Sequence, residues 1–309
     1  MDHALRLSVE LPPVPASGPV PLERWWEAGA AALAAGADVI WFTGGSQDGD
    51  PAAPSAAWCD ACTIAASSMS DPRLEGAVLG VVSVLPLDRH PAVLARDVTT
   101  LDVLSNGRAA TLLRWDDGGA SGRGDPAGLP GVRAATDYLG EAVAVCRAVL
   151  CDDDPVFEGR FLHVAGAVNR PPPSRPSGPP LFVEVPSGAA SVLAEDPAAS
   201  LLLRQSVAAG ATIVCDDEPG EVAEWRAILE TAARESWTGR DADRTEVVCR
   251  ATVPPVADPS ASRVHARARA VAAHAAGAGG VVVPLPAIGR ADDTGVAGDL
   301  AGWFEPWRG

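Results

Sequence analysis

Short apolar runs rich in β-branched residues alternate along the chain with longer segments whose apolar positions recur at helical spacing. The clearest pair lies between Ala77 and Arg108. Ala77 to Leu85 is almost free of charge, the pattern of a parallel strand buried on both faces. Pro91 suits the first turn of a helix, where its missing N–H is not needed, and Leu94, Val98 and Leu101 fall at the i, i+4, i+7 spacing of one apolar face. Asn106-Gly107 then stops that helix in a left-handed cap. This is one strand, loop and helix unit of an α/β protein.

The same alternation predicts the other units. Leu5 to Leu11 reads as the first strand, Leu22 to Ala35 as the first helix and Val39 to Phe42 as the second strand. A helix from about Ser55 to Ser67 precedes the strand already described, and Ala109 to Leu113 supplies the fourth. The glycine-rich stretch from Asp116 to Gly131 reads as an exposed loop, and Ala134 to Leu150 as a helix. Phe157 to Val168 looks like a short hairpin, and NRPPPSRPSGPP is an extended connector. Leu181 to Val185 is the fifth strand, followed by a helical region from Gly188 to Ala208 interrupted near Asp196-Pro197. Thr212 to Cys215, Val247 to Val253 and Gly280 to Val283 are the remaining strands. A helix with acids in its first turn follows Cys215, another spans Ala261 to Ala275, and a last one runs from about Val296 to Phe304.

Eight strand and helix repeats with no hairpins as main units predict an α/β fold of the (β/α)8 TIM-barrel type. A single domain over residues 1–309 is expected, with an excursion at about 152–180. No G-x-G-x-x-G follows the first strand, which counts against an open dinucleotide-binding sheet.

The formal net charge is −16, and the 24 basic residues are all arginine. No basic stripe marks a nucleic-acid footprint, so neither nucleic acid nor an anionic membrane is an expected partner. The absence of lysine excludes Schiff-base chemistry and a lysine-dependent phosphate loop. The N-terminus lacks a cationic segment and a long apolar run, so a cytoplasmic protein with reduced thiols is expected. Cys59 and Cys62 form a C-x-x-C without a second ligand pair nearby, which favours helix packing over a metal or redox role.

From Leu79 to Arg108 the chain reads LGVVSVLPLDRHPAVLARDVTTLDVLSNGR and resembles the luciferase-like monooxygenases, the bacterial luciferase group of flavin- and deazaflavin-dependent oxidoreductases. YLGEAVAVCRAVLCDDDPVFEGRFLHVAGAVNRPPPSRPSGPPLFV is similar to that family's helix, hairpin excursion and proline-rich return to the fifth strand. GAGGVVVPLP with LAGWFEPW is similar to its last strand and helix. The resemblance implies a bacterial luciferase-like barrel whose strand ends hold FMN or the deazaflavin coenzyme F-420 and act on a small-molecule substrate. It also implies a homodimer, for which the Trp25, Trp26 and Trp58 region offers aromatic packing.

Site residues follow from the same resemblance. Val82-Ser83 stands where the family keeps a non-prolyl cis peptide under the isoalloxazine ring, which makes both residues candidates for ring contact. Ser187, Gly188 and Ala189 open a helix after the fifth strand, where backbone N–H groups would hold a phosphate. Where the family has a glycine-rich run after the fourth strand, this chain has Leu112, Leu113, Arg114 and Trp115. Strand alternation lets only one of Arg114 and Trp115 face the barrel mouth. Arg114 and Trp115 would serve a bound anion and a stacked ring, or fill the cofactor cleft outright; Trp115 facing the mouth would either stack on the ring or replace it, with Arg114 then turned to the helix layer.

Gly44 and Gly45 occupy the place of the family's Asp/Glu-His pair, so no residue presents itself as the catalytic acid or base. His90, His163, His265 and His274 form neither a triad nor a metal set by spacing, and Tyr138 reads as a packing residue. Two functions remain open: an oxidoreductase using FMN or F-420, and a cofactor-poor relative acting as a non-catalytic binding or partner subunit.

Overall fold

The computed structural model describes residues 6–12, 22–44, 60–85, 89–115, 131–197, 200–235, 246–251 and 268–285. Its strands are β1 (Arg6–Glu10), β2 (Ala37–Thr43), β3 (Val78–Leu85), β4 (Ala109–Trp115), the short pair β5 (Phe157–Glu158) and β6 (His163–Val164), then β7 (Leu181–Glu184), β8 (Thr212–Asp216), β9 (Val247–Arg250) and β10 (Gly280–Pro284). Its helices include α1 (Leu22–Ala34), α2 (Ala61–Ser68), α3 (Pro91–Leu104), α4 (Gly131–Cys151), α5 (Ala189–Ala194), α6 (Leu201–Ala209) and α7 (Pro219–Glu235). Residues 268–275 are helical as well.

Eight strands close into a barrel in the order β1-β10-β9-β8-β7-β4-β3-β2, every neighbouring pair parallel. This is the (β/α)8 architecture that the alternating pattern predicts. The break foreseen near Asp196-Pro197 separates α5 from α6, and Ser200 restarts the chain by accepting a bond from the Leu203 N–H at 3.3 Å. The predicted last helix at Val296 to Phe304 and the glycine-rich loop at 116–130 lie outside the described residues, as does Cys59 of the C-x-x-C.

Strand alternation sorts the apolar side chains into two cores. Ile40, Phe42, Val81, Leu113 and Val183 pack outward against the helices, whereas Trp41, Val82, Ala110, Leu112, Val214, Val248 and Val282 fill the barrel itself. Trp41 is fully buried, and its ring meets Phe182 edge-on at 4.9 Å. Gly80 makes that ring possible: a Cβ there would lie 2.1 Å from Trp41 Cε3. A charge two residues beyond these interior positions faces the barrel's C-terminal mouth, which is where the site is built.

The excursion is the predicted hairpin, with Phe157 opposite Val164 and Glu158 opposite His163. It is held by Glu141 on α4, a buried carboxylate that accepts the backbone N–H groups of Arg160, Phe161 and Leu162 at 2.6, 2.8 and 2.8 Å. The proline-rich return is held by Asp102, which accepts the Ser174 N–H at 2.7 Å, and by Asn169, which donates to Thr99 Oγ1 and the Val149 carbonyl. Glu141→Ala strands three amides at once, at roughly 1–3 kcal/mol for each that remains buried. The expected outcome is local opening, read as faster trypsin cleavage at Arg160 and faster amide exchange at 160–162 while α3 keeps its protection. Unchanged exchange at 160–162 would remove Glu141 from that role.

Two of the three tryptophans expected at a dimer contact, Trp25 and Trp26, pack within the chain. Trp25 is buried, and Trp26 is half-buried, donating from Nε1 to Ser68 Oγ at 3.0 Å under the Arg73 guanidinium. Trp58 lies outside the described residues. Among the described residues no helix is long and apolar enough to cross a membrane.

Candidate active site

Four charged side chains meet at the mouth, each at or next to the C-terminal end of its strand: Glu10 on β1, Arg114 on β4, Glu184 on β7 and Arg250 on β9. Their positions follow from alternation. Leu112, Phe182 and Val248 point into the barrel, so Arg114, Glu184 and Arg250 do too, one layer higher. Arg114 donates from Nη1 and Nη2 to the two oxygens of Glu10 at 2.8 Å each, and from Nε and Nη2 to Glu184 Oε2 at 2.9 and 2.8 Å. Among the described residues Arg250 uses Nη1 alone, reaching Glu10 Oε2 and, at 3.3 Å, Glu184 Oε2. Thr43, at the end of β2, donates to Glu10 Oε1 at 2.8 Å.

This quartet is neutral as a whole, and its burial is graded. The Glu10 side chain is 6% exposed and Arg114 17%, while Glu184 and Arg250 are 18% and 24% exposed. Burial alone would push the Glu10 carboxyl up, but the charges and hydrogen bonds of Arg114 and Arg250 outweigh it and hold the group well below the usual carboxylate range. Burial works against the Arg114 cation in the same way, and Glu10 and Glu184 more than restore it, so its pKa is raised. Glu10 is thus a fixed anion under the mouth, not a group that exchanges protons at neutral pH.

Several expectations need correction against this geometry. Arg114, not Trp115, faces the mouth. Trp115 turns to the helix layer, where its ring lies 5.5 Å from Tyr138, and Tyr138 in turn lies 5.8 Å from Phe161. Trp115 therefore neither stacks on a ring in the barrel nor fills its place. Val82 is fully buried in the barrel interior, beneath the quartet, while Ser83 alternates to the helix side, where its hydroxyl is buried without a hydrogen-bond partner. The Val82–Ser83 peptide is not cis; among the described residues the one cis bond is Arg170–Pro171.

Ser187 and Gly188 are exposed and Ala189 is buried at the start of α5, with Gly188 at φ +77°. Ser187 Oγ donates to Asp216 Oδ2 at 2.6 Å, and the Ala189 N–H already donates to the Pro186 carbonyl at 3.0 Å. A carboxylate so close opposes a phosphate, and a six-residue helix adds little dipole. This turn is a poor phosphate cradle. Burial pushes the Cys146 and Cys249 thiols up to about 12 and so makes them unreactive. Among the described residues no group of His, Cys, Asp or Glu is placed to hold a metal ion.

Glu10, Thr43, Glu184 and Arg250 are the site residues that sequence reasoning missed. Their signal was present: RLSVE, LFVE and VVCR each end an apolar run on one charge. What a linear reading lacks is their convergence, for Arg250 and Glu10 stand 240 positions apart.

A model of the luciferase-like monooxygenase family matches residues 11–301. The chain belongs to that family. Solved structures share its fold over nearly their full length. An F-420-dependent secondary alcohol dehydrogenase in complex with an F-420–acetone adduct superposes with a TM-score of 0.65 at 15% identity, covering 99% of both chains. The FMN complex of the oxygenating constituent of 3,6-diketocamphane monooxygenase from Pseudomonas putida gives 0.62 at 13% identity, covering 99% of this chain and 96% of that one. The coenzyme F-420-dependent tetrahydromethanopterin reductase from Methanopyrus kandleri gives 0.59 at 15% identity, covering 96% and 97%.

The residues at the mouth fit the ring end of either cofactor better than the phosphate end. The quartet offers hydrogen-bond donors and acceptors from Arg250 and Glu184 to a planar polar edge, whereas Ser187 is bonded to the Asp216 carboxylate.

Proposed function

We propose that this family member is an oxidoreductase that holds FMN or coenzyme F-420 over the Glu10–Arg114–Glu184–Arg250 quartet and acts there on a small organic molecule. The quartet is the observation that carries the reading. Two ion pairs sited below a barrel mouth lose hydration that packed apolar residues would not need, so their retention there suits a role in binding. When bound, either cofactor would supply hydride transfer, and FMN also oxygen activation.

The chain's own residues divide the work. Thr43 holds Glu10, and Glu10 and Glu184 each accept two hydrogen bonds from Arg114, which makes a rigid polar floor. Arg250, the most exposed member, and Glu184 meet whatever lies above. Val82, Leu112 and Val282 close the barrel beneath and keep water out from below. Tyr138 is packed between Trp115 and Phe161, and burial raises its pKa, so it is a structural ring and not a proton donor at the mouth.

Titration of the purified protein with FMN and with F-420, followed by cofactor fluorescence, tests the reading. Saturable one-site binding of one of them, weakened at least tenfold by Arg250→Met, is the expected outcome. One observation favours a second reading, the non-catalytic relative: Leu112, Leu113 and Arg114 fill the stretch that is glycine-rich in the resemblance. No binding of either cofactor at millimolar concentration would select that reading.

A further inference from the structure

We infer that Arg250 and Glu184 together read an imide edge, a carbonyl beside an N–H, on the ring held at the mouth; this rests on the cofactor reading above. The inference comes from counting donors and acceptors. A guanidinium carries five N–H groups and a carboxylate accepts at both oxygens. Arg114 uses Nε, Nη1 and Nη2 on Glu10 and Glu184. Arg250 uses Nη1 only, so its Nε and Nη2 have no partner among the described residues. On Glu184 every bond goes to Oε2, from Arg114 twice and Arg250 once, and Oε1 has none among the described residues.

The two side chains touch at 3.3 Å through Arg250 Nη1 and Glu184 Oε2, which leaves a donor edge and an acceptor atom side by side. Arg250 is also the quartet's most exposed member at 24%, with Glu184 at 18%. A phosphate or carboxylate laid there meets Glu184, and an ammonium meets Arg250. A neutral group with an acceptor next to a donor satisfies both. Such a group accepts from Arg250 and donates to Glu184 Oε1, and charge-assisted bonds of this kind are about twice as strong as neutral ones. The pyrimidinedione ring common to FMN and F-420 carries such an edge, its N3–H flanked by two carbonyls. A mouth that reads this edge would admit the ring of either cofactor and reject rings that lack the imide.

The test compares FMN with FMN methylated at N3, which keeps the ring, ribityl chain and phosphate but loses the N–H. Affinity is read by fluorescence on the parent protein and on Glu184→Ala. The expected result is at least tenfold weaker binding of the methylated ligand to the parent, with that discrimination reduced to less than threefold in Glu184→Ala. F-420 and its N3-methyl derivative serve in the same way if FMN does not bind. Should the Glu184 variant fold poorly, the parent's discrimination between the two ligands decides alone. Equal affinity of the parent for both ligands overturns the inference while leaving the cofactor reading intact; no binding of any of the four overturns both.

Discussion

Replacing Arg114 with methionine is expected to destabilise the protein by about 3–5 kcal/mol at neutral pH, the range for removing one partner of a buried pair. The variant leaves Glu10 buried with Arg250 and Thr43 as its remaining partners and deprives Glu184 of two bonds. Adding Glu10→Leu removes the stranded anion, so the double variant should lose less than the sum of the single ones. Denaturant unfolding of the four proteins measures this. A strictly additive pair would mean that Glu10 and Arg114 are not coupled.

The pH dependence of the same series has a defined direction. A carboxyl whose pKa is lower in the folded than in the unfolded chain stabilises the fold above its unfolded value and loses that contribution as pH falls through its folded value. Glu10 is such a group, with an ordinary value of 4.5. The stability gap between the parent and Arg114→Met should therefore be constant from neutral pH to about 4.5 and shrink below it. A gap that widens in acid would contradict the assignment of Glu10 as the depressed group.

The second large effect belongs to the barrel's interior. Trp41→Ala empties the centre of the inner core and is expected to cost about 3–5 kcal/mol. Gly80→Val alone is also destabilising, since its Cβ would sit 2.1, 2.5 and 2.6 Å from three Trp41 ring atoms that Phe182 and full burial hold in place. Combined, the two changes should compensate, because valine then enters the space the indole has left. Thermal unfolding should show Gly80→Val lowering Tm in the parent and raising it in Trp41→Ala. A fall in both backgrounds would show that the two positions do not share one space.

The barrel was legible in the sequence because every repeat carries two independent signals, a β-branched run and a helical period. Pro91 and Asn106-Gly107 even mark the ends of one helix, and Asn106 does adopt φ +58°. The direction in which each strand residue points was not legible. In β4 both Ala110 and Leu112 on one face and Ala109 and Leu113 on the other are buried and apolar, so nothing in the pattern says which face is the barrel's. That ambiguity left open which of Arg114 and Trp115 faces the mouth, and it placed Ser83 beside Val82 in a ring contact that alternation denies to one of them. The quartet was hidden for a different reason. Each member is one charge at the end of a different strand, and only barrel closure makes them neighbours.

The proposed place for the ring of FMN or F-420 is the mouth over this quartet. Crystals of the protein soaked in each cofactor test it most directly. Density for the ring is expected above the quartet, with its imide edge within hydrogen-bond distance of Arg250 and Glu184. Density for the ring elsewhere, or a mouth unchanged at saturating concentrations of both, would contradict it.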